Sequence, residues 1–181
     1  MQESLRVLEE YGKTENIGHL FESLRYEIYT LEKNIMHSFK CINLQENIYI
    51  LLTKELFKRE YFETIENLCK AGAKLFQIRE KNGTDAEFYR LAQGAVKIIK
   101  SYGGTVLLND RVDIALSVGA DGVHLGLDDI PISSARKIAS RPFLIGATVH
   151  NMQELNQLPL ESIDYIGLGP CFASGTKPDL V

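Results

Sequence analysis

Two stretches of this chain, Thr105-Val-Leu-Leu-Asn-Asp110 and Asp121-Gly-Val-His-Leu-Gly-Leu-Asp-Asp129, each read as a buried apolar strand that ends in a carboxylate just ahead of a helix. In parallel α/β architectures the carboxyl ends of the strands form the ligand face. Successive βα turns therefore deliver Asp110 and Asp129 to neighbouring positions on that face. Two acids so placed can share one divalent cation. Magnesium takes few direct protein oxygens and completes its shell with phosphate and water, so the expected chemistry is a Mg²⁺-diphosphate site. The competing expectation is that each aspartate caps the helix after it, a common position for Asp.

A second cluster lies on the preceding strand. Gln77, Arg79 and Lys81 are spaced two apart, and strand geometry sends alternate side chains to one face. In a buried parallel sheet that face should be apolar, because unpaired charges there cost several kcal/mol. A ligand anion supplies the missing partner: arginine offers a planar fork and lysine a point charge, both suited to diphosphate oxygens. The alternative is that Arg79 and Lys81 have emerged into solvent or pair with Glu80. A third segment, Gly167-Leu-Gly-Pro-Cys-Phe-Ala-Ser-Gly-Thr-Lys177, carries small residues that let backbone amides approach a ligand. Ser174, Thr176 and Lys177 fit a phosphate cradle there, without Walker-A spacing or a following helix. A glycine-containing loop with a solvated lysine is the ordinary alternative.

The elements that must hold these residues change character near residue 47. Before it, Leu5, Val7, Leu8 and Tyr11, then Leu20, Leu24, Tyr26, Ile28, Leu31 and Ile35, follow helical spacing interrupted by a turn-like segment at 12–18, which predicts a helical hairpin. After it, short β-rich apolar runs at 48–53, 74–79, 105–109, 122–125, 143–147 and 164–169 alternate with helical patterns at 60–71, 85–101, 111–118, 132–139 and 152–158. Strands alternating with helices imply right-handed parallel crossovers. The leading architecture is α/β, a TIM (β/α)₈-type barrel with only about six βα strands present. A doubly wound sheet is the alternative.

Composition frames these readings. A chain of 181 residues with 45% hydrophobic content can bury a core in one domain plus an appendage. A net charge of -4 offers no cationic field for nucleic acid or an anionic membrane, so phosphate recognition must be local. No apolar run approaches the roughly 18 residues of a membrane span, and the polar start lacks a signal-peptide core, which makes the cytoplasm the expected location. Cys41, Cys69 and Cys171 are odd in number and widely spaced, against a disulfide framework or a zinc site.

The segments Gln77-Ile-Arg-Glu-Lys81, Leu108-Asn-Asp-Arg-Val-Asp-Ile-Ala115, Gly119-Ala-Asp-Gly-Val-His-Leu-Gly126, Ile145-Gly-Ala-Thr-Val-His150, Asp164-Tyr-Ile-Gly-Leu-Gly-Pro170 and Gly175-Thr-Lys177 resemble, in order and spacing, the thiamine-phosphate synthase family. The resemblance covers about residues 48–179. Residues 3–31 also look like the helical extension found ahead of the barrel in some synthases. The expected domains are thus a helical extension at 1–46 and a synthase-like barrel at 47–181.

The resemblance implies a TIM barrel and a transferase that couples 4-amino-5-hydroxymethyl-2-methylpyrimidine diphosphate with 4-methyl-5-(2-phosphoethyl)thiazole, releasing pyrophosphate. It assigns Gln77, Arg79 and Lys81 to the diphosphate and pyrimidine pocket, with Asn109 beside them and Asp110 and Asp129 on Mg²⁺. Thr148 takes the small hydroxyl position of the fifth strand, and Ser174, Thr176 and Lys177 the loop that contacts substrate and pyrophosphate. Arg79, Lys81 and Lys177 are the expected catalytic cations. The partners implied are small molecules only, with homo-oligomerisation open. Leu127 stands where glutamine is usual and Ser174 where threonine is common; neither removes a metal carboxylate.

Two features keep other readings open. His124 lies inside a strand motif and is expected to be structural. His150, in Thr148-Val-His150, matches a histidine used by the related thiazole tautomerases, an alternative activity. The sequence also ends before the seventh and eighth strands that the resemblance implies, whose turns usually bind phosphate. An unclosed sheet exposes two edges and an unfilled interior, and helices cannot replace strands. The expectation is therefore a C-terminally incomplete barrel. A chain of this extent could also be a catalytically defective homologue that only binds the pyrimidine diphosphate.

Overall fold

The structure is a computed structural model and describes residues 2–14, 17–39 and 48–169. It divides into two compact units, Met1–Cys41 and Ile42–Val181. In the first, helices α1 (Gln2–Thr14) and α2 (Gly18–Phe39) form the hairpin that the apolar spacing predicts. A buried Glu9 carboxylate accepts from Arg25 Nε at 2.8 Å, tying the two helices. Val7, Tyr11, Leu20 and Leu24 are exposed. A two-helix pair can bury only one stripe of each helix.

The second unit alternates strands and helices: β1 (Tyr49–Leu52), α3 (Tyr61–Lys70), β2 (Leu75–Ile78), α4 (Asp85–Ser101), β3 (Thr105–Asn109), α5 (Val112–Ser117), β4 (Gly122–Leu125), α6 (Ile132–Ile138), β5 (Leu144–Val149), α7 (Met152–Gln157) and β6 (Tyr165–Leu168). The apolar runs located all six strands and the helical patterns all five helices, with ends differing by a residue or two. The α4 start is set by a capping box, in which the Thr84 side chain accepts from Glu87 N–H and Glu87 returns to Thr84 N–H. Thr84→Ala is expected to cost about 1 kcal/mol in a denaturant titration, with an unchanged slope.

All strands are parallel and lie in sequence order, β1-β2-β3-β4-β5-β6. A doubly wound sheet reverses its strand order at a switch point, so that alternative falls. The sheet is also curled. At about 4.8 Å per strand, a flat sheet would hold the first and sixth strands roughly 24 Å apart, beyond the span of two tyrosines. Yet the hydroxyls of Tyr49 on β1 and Tyr165 on β6 are 2.9 Å apart. The described strands form a curled, partly closed α/β sheet, and closure of an eight-stranded barrel is not seen in them.

The two faces of this sheet do different work. Outward-facing Leu52, Phe76, Ile78, Val106, Leu108, Val123, Leu125 and Ile145 pack against helix residues such as Ile65, Ala92, Val96 and Ile99 in the main core. Inward, Leu75, Leu107 and Leu144 pack with Tyr49 and Tyr165 in a small second core. That inner layer partly fills the interior that the sequence predicted to be empty. Above it, toward the carboxyl ends, the inner face turns polar with Gln77, Asn109, His124 and Thr148.

The amino end of the sheet is stitched twice by one device. Asp121, just ahead of β4, accepts Val106 N–H at 3.0 Å and Lys100 Nζ at 2.9 Å. Asp164, just ahead of β6, accepts Ile145 N–H at 2.8 Å and Arg136 Nη2 at 2.7 Å, and also pairs with Arg141. Each carboxylate thus clamps the start of its own strand to the one before it and neutralises itself with a helix-borne cation. This is the stability face of such a sheet, opposite the ligand face.

Candidate active site

At the carboxyl ends, Asp110 follows the last residue of β3 and takes a left-handed backbone with φ 66°. Aspartate tolerates that region better than most residues, at some conformational cost. Asp110 N–H continues the ladder to His124 O at 2.9 Å while Arg111 N–H folds back to Asn109 O at 2.7 Å. Asn109 Nδ2 then donates to Asp110 Oδ1 at 2.5 Å. After β4 the chain turns so that Asp129 Oδ2 accepts Gly126 N–H at 2.6 Å.

The two carboxyls lie within hydrogen-bonding reach of each other. Burial pushes Asp110 up to about 6, and the hydrogen bond and charge of Asp129 push the same way. Asn109 and the Lys81 ammonium oppose it. Neither aspartate caps a helix: α5 begins from Arg111 and α6 from Pro131, both without a side-chain cap. The capping alternative therefore fails at both positions. Two neighbouring acids, one of which is raised by burial and by the other's charge, form a hard-oxygen pair that gains by admitting a cation, and this fits Mg²⁺ with its remaining shell open to phosphate and water. No group of three or more His, Cys, Asp or Glu side chains suited to a metal occurs among the described residues. A full protein cage is thus not what these residues offer.

The shift of Asp110 has a sign that can be checked. Its carboxyl keeps a proton in the folded chain that the unfolded chain releases near 3.8. Between about pH 4 and 6 its contribution to stability must fall as pH rises. Asp110→Asn removes that contribution. The melting temperature of the metal-free variant is expected to gain on that of the parent across this window, and a gap that stays constant would refute the assignment.

The polar residues of β2 divide. Gln77 is buried on the inner face, 3% exposed. Arg79 and Lys81 lie just past the strand end, Arg79 half-buried and Lys81 exposed. Arg79 N–H donates to Leu52 O at 2.9 Å, and its guanidinium forms no ion pair among the described residues. Glu80 instead accepts the Lys54 N–H at 2.6 Å, so the pairing with Glu80 that the sequence left open does not form. Asn109 is buried beside the acid pair at 8% exposure. Thr148 sits on the inner face of β5. Gln77, Asn109, Asp110, Asp129 and Thr148 thus lie at one end of one sheet with Arg79 and Lys81 beside them. Ser174, Thr176 and Lys177 lie outside the described residues.

Sequence reasoning missed the tyrosines, and His124, expected to be structural, is hydrogen-bonded among them. Gln77 Nε2 donates to the Tyr49 hydroxyl at 3.0 Å, Tyr49 meets Tyr165 at 2.9 Å, Tyr165 meets His124 Nδ1 at 2.8 Å, and His124 Nε2 meets Thr148 Oγ1 at 2.7 Å. Burial raises the proton affinity of both phenols, keeping them neutral donors. The usable signal was glycine inside strands, which marks close approach by something bulky. A Cβ on Gly146 would fall on the Tyr165 ring, and one on Gly167 would press His124 Cε1 at 3.1 Å. His150 has another task. Its Nδ1 meets Glu154 Oε2 at 2.9 Å, and Glu154 also takes His150 N–H at 2.7 Å while Asn151 caps α7, so the imidazole is built into that helix start.

Residues 48–180 match the family described as thiamine monophosphate synthase, and residues 1–34 match the ThiD2 family. The thiamine-phosphate synthase of a Nostoc species is 38% identical over 180 residues, which is 98% of this chain and 50% of that protein. The thiamine-phosphate synthase of Thermosynechococcus vestitus is 39% identical over 185 residues, 98% of this chain and 52% of that protein. The solved thiamine phosphate pyrophosphorylase from Pyrococcus furiosus aligns with TM-score 0.62 and 35% identity, over 68% of this chain and 60% of that one. The chain spans about half the length of the curated relatives it matches.

Proposed function

This chain belongs to the thiamine monophosphate synthase family, and on that premise we propose that it couples 4-amino-5-hydroxymethyl-2-methylpyrimidine diphosphate with 4-methyl-5-(2-phosphoethyl)thiazole, giving thiamine phosphate and pyrophosphate. The single observation that carries the reading is the facing pair Asp110 and Asp129, with Asn109 and Lys81 acting on the same carboxyl. The units are proposed to be a helical extension at 1–46 and a synthase barrel from 47 onward, working on soluble small molecules in the cytoplasm. No helix among the described residues is long and apolar enough to cross a membrane.

In this reading Asp110 and Asp129 hold one Mg²⁺, which when bound supplies positive charge to the diphosphate oxygens. Arg79 offers a two-pronged donor set to those oxygens and Lys81 a point charge. Ser174, Thr176 and Lys177 are proposed to contact substrate and departing pyrophosphate. The thiazole nitrogen is already a nucleophile, so a general base is unnecessary. The residues lower the barrier by stabilising negative charge that grows on the leaving group, in a site whose donors are set before reaction. The test is to incubate the full chain with Mg²⁺ and both substrates and to measure thiamine phosphate and pyrophosphate. Equal yields of the two products are expected. Diphosphate binding with no product would overturn the proposed activity.

A further inference from the structure

On the helix side of the sheet, the loops after β1 and β2 and the first turns of α3 and α4 enclose a cleft of about 770 Å³, a size typical of small-molecule sites. None of Gln77, Asn109, Asp110 and Asp129 lines it. Its apolar wall is Phe57, Phe62, Phe88 and Leu91. Phe57 and Phe62 each stand edge-on to the Tyr61 ring, at centroid distances of 4.9 and 5.5 Å. Phe62 also lies over bare helix backbone, since a Cβ on Gly94 would come within 2.7 Å of its Cε1. Glycine is costly inside a helix, and here it seats that ring.

The polar wall holds more negative charge than it neutralises. Glu55, Glu80 and Glu87 line the cleft with only Lys54 and Arg90 against them. Both cations act on Glu87, which its hydrogen bonds from Thr84 already hold low. Glu55 accepts Asn82 Nδ2 at 2.7 Å and Glu80 accepts the Lys54 N–H at 2.6 Å, and neither carboxylate forms an ion pair among the described residues. Burial and the Glu55 charge push the Glu80 carboxyl up against the opposing pull of Lys54. Tyr61 is 5% exposed, its hydroxyl has no hydrogen-bond partner among the described residues, and the Glu80 charge acts on it. A positively charged donor would serve the phenol oxygen and the carboxylates together, and aromatic faces attract the same charge. We propose that this cleft binds a small aromatic ammonium ion, with its charge toward Glu55 and Glu80 and its ring against Phe57, Phe62 and Phe88. The site stands apart from the Mg²⁺-diphosphate reading and does not depend on it.

Amide NMR titrations of the full chain with three molecules of similar skeleton test this: 2-phenylethylammonium, 2-phenylethanol and 3-phenylpropionate. The Lys54 amide, bonded to Glu80, and the Gly83 amide in the cleft wall report binding. The ammonium should bind about tenfold more tightly than the alcohol, the worth of one charge-assisted contact, and the carboxylate more weakly than either. Glu80→Gln keeps an acceptor for the Lys54 N–H. It should bring the ammonium to within roughly threefold of the alcohol and leave the alcohol's own affinity unchanged. Should that variant not fold, the exposed Glu55→Gln carries the same comparison. Equal affinity of the parent for ammonium and alcohol overturns the proposal, as does a preference for the ammonium that survives both substitutions. Shifts confined to the neighbours of Asp110 and Asp129 would put the cation at the diphosphate site and overturn it too, and so would the absence of any shift at Lys54 and Gly83.

Discussion

On the proposed activity, Asp110→Ala is expected to lower coupling turnover roughly 10²- to 10³-fold, the loss typical when a group stabilising transition-state charge is removed, while the metal-free protein is expected to melt at the same temperature or higher. The two halves of that result have one cause. In the unliganded chain burial and the neighbouring Asp129 raise the proton affinity of Asp110, so removing Asp110 relieves a buried acid and a repulsion. With diphosphate bound, the same removal would leave the proposed cation with a single protein carboxylate. Asp129→Ala should follow the same pattern, except that it also frees the Gly126 N–H. Turnover and melting temperature of both variants, with and without Mg²⁺, check this. Unaltered turnover, or a collapse in stability matching the loss of activity, would contradict it.

The largest structural loss belongs to the opposite end of the sheet. Asp164→Ala is expected to cost about 3–5 kcal/mol, because it strands the mostly buried Arg136 charge and orphans the Ile145 N–H. For a unit of this size that is a drop of roughly 10 °C in melting temperature. The equivalent Asp121 partners a more exposed lysine, with Lys100 at 42% exposure against 15% for Arg136, so Asp121→Ala should cost less. Thermal or urea unfolding orders the two. An Asp121 effect larger than that of Asp164 would show that burial does not govern these clamps.

What the sequence made legible follows from what is local. The strands announce themselves because both faces of a parallel sheet are covered, leaving dense runs such as 105–109 between turn residues. Asp110 and Asp129 were legible because strand ends in such sheets lie side by side, a consequence of topology that alternation alone implies. The polar series Gln77, Arg79 and Lys81 was legible as one face, yet not where the strand would stop. Curl was not legible, since the Tyr49–Tyr165 contact joins residues 116 apart in sequence through no periodic signal. Nor was the task of His124, whose flanking Val123 and Leu125 mark a buried strand without telling what stands across from it. The left-handed turn at Asp110, a non-glycine residue with φ 66°, likewise has no sequence mark.

The central claim is that Asp110 and Asp129 hold one divalent ion that a diphosphate completes. The most direct test is paramagnetic counting of Mn²⁺ bound to the full chain, titrated with and without pyrophosphate, in the parent and in Asp129→Ala. One tightly bound ion per chain that requires pyrophosphate, and is lost in Asp129→Ala, is the expected result. Pyrophosphate binding of equal strength in excess chelator, or full ion binding in Asp129→Ala, would contradict the account.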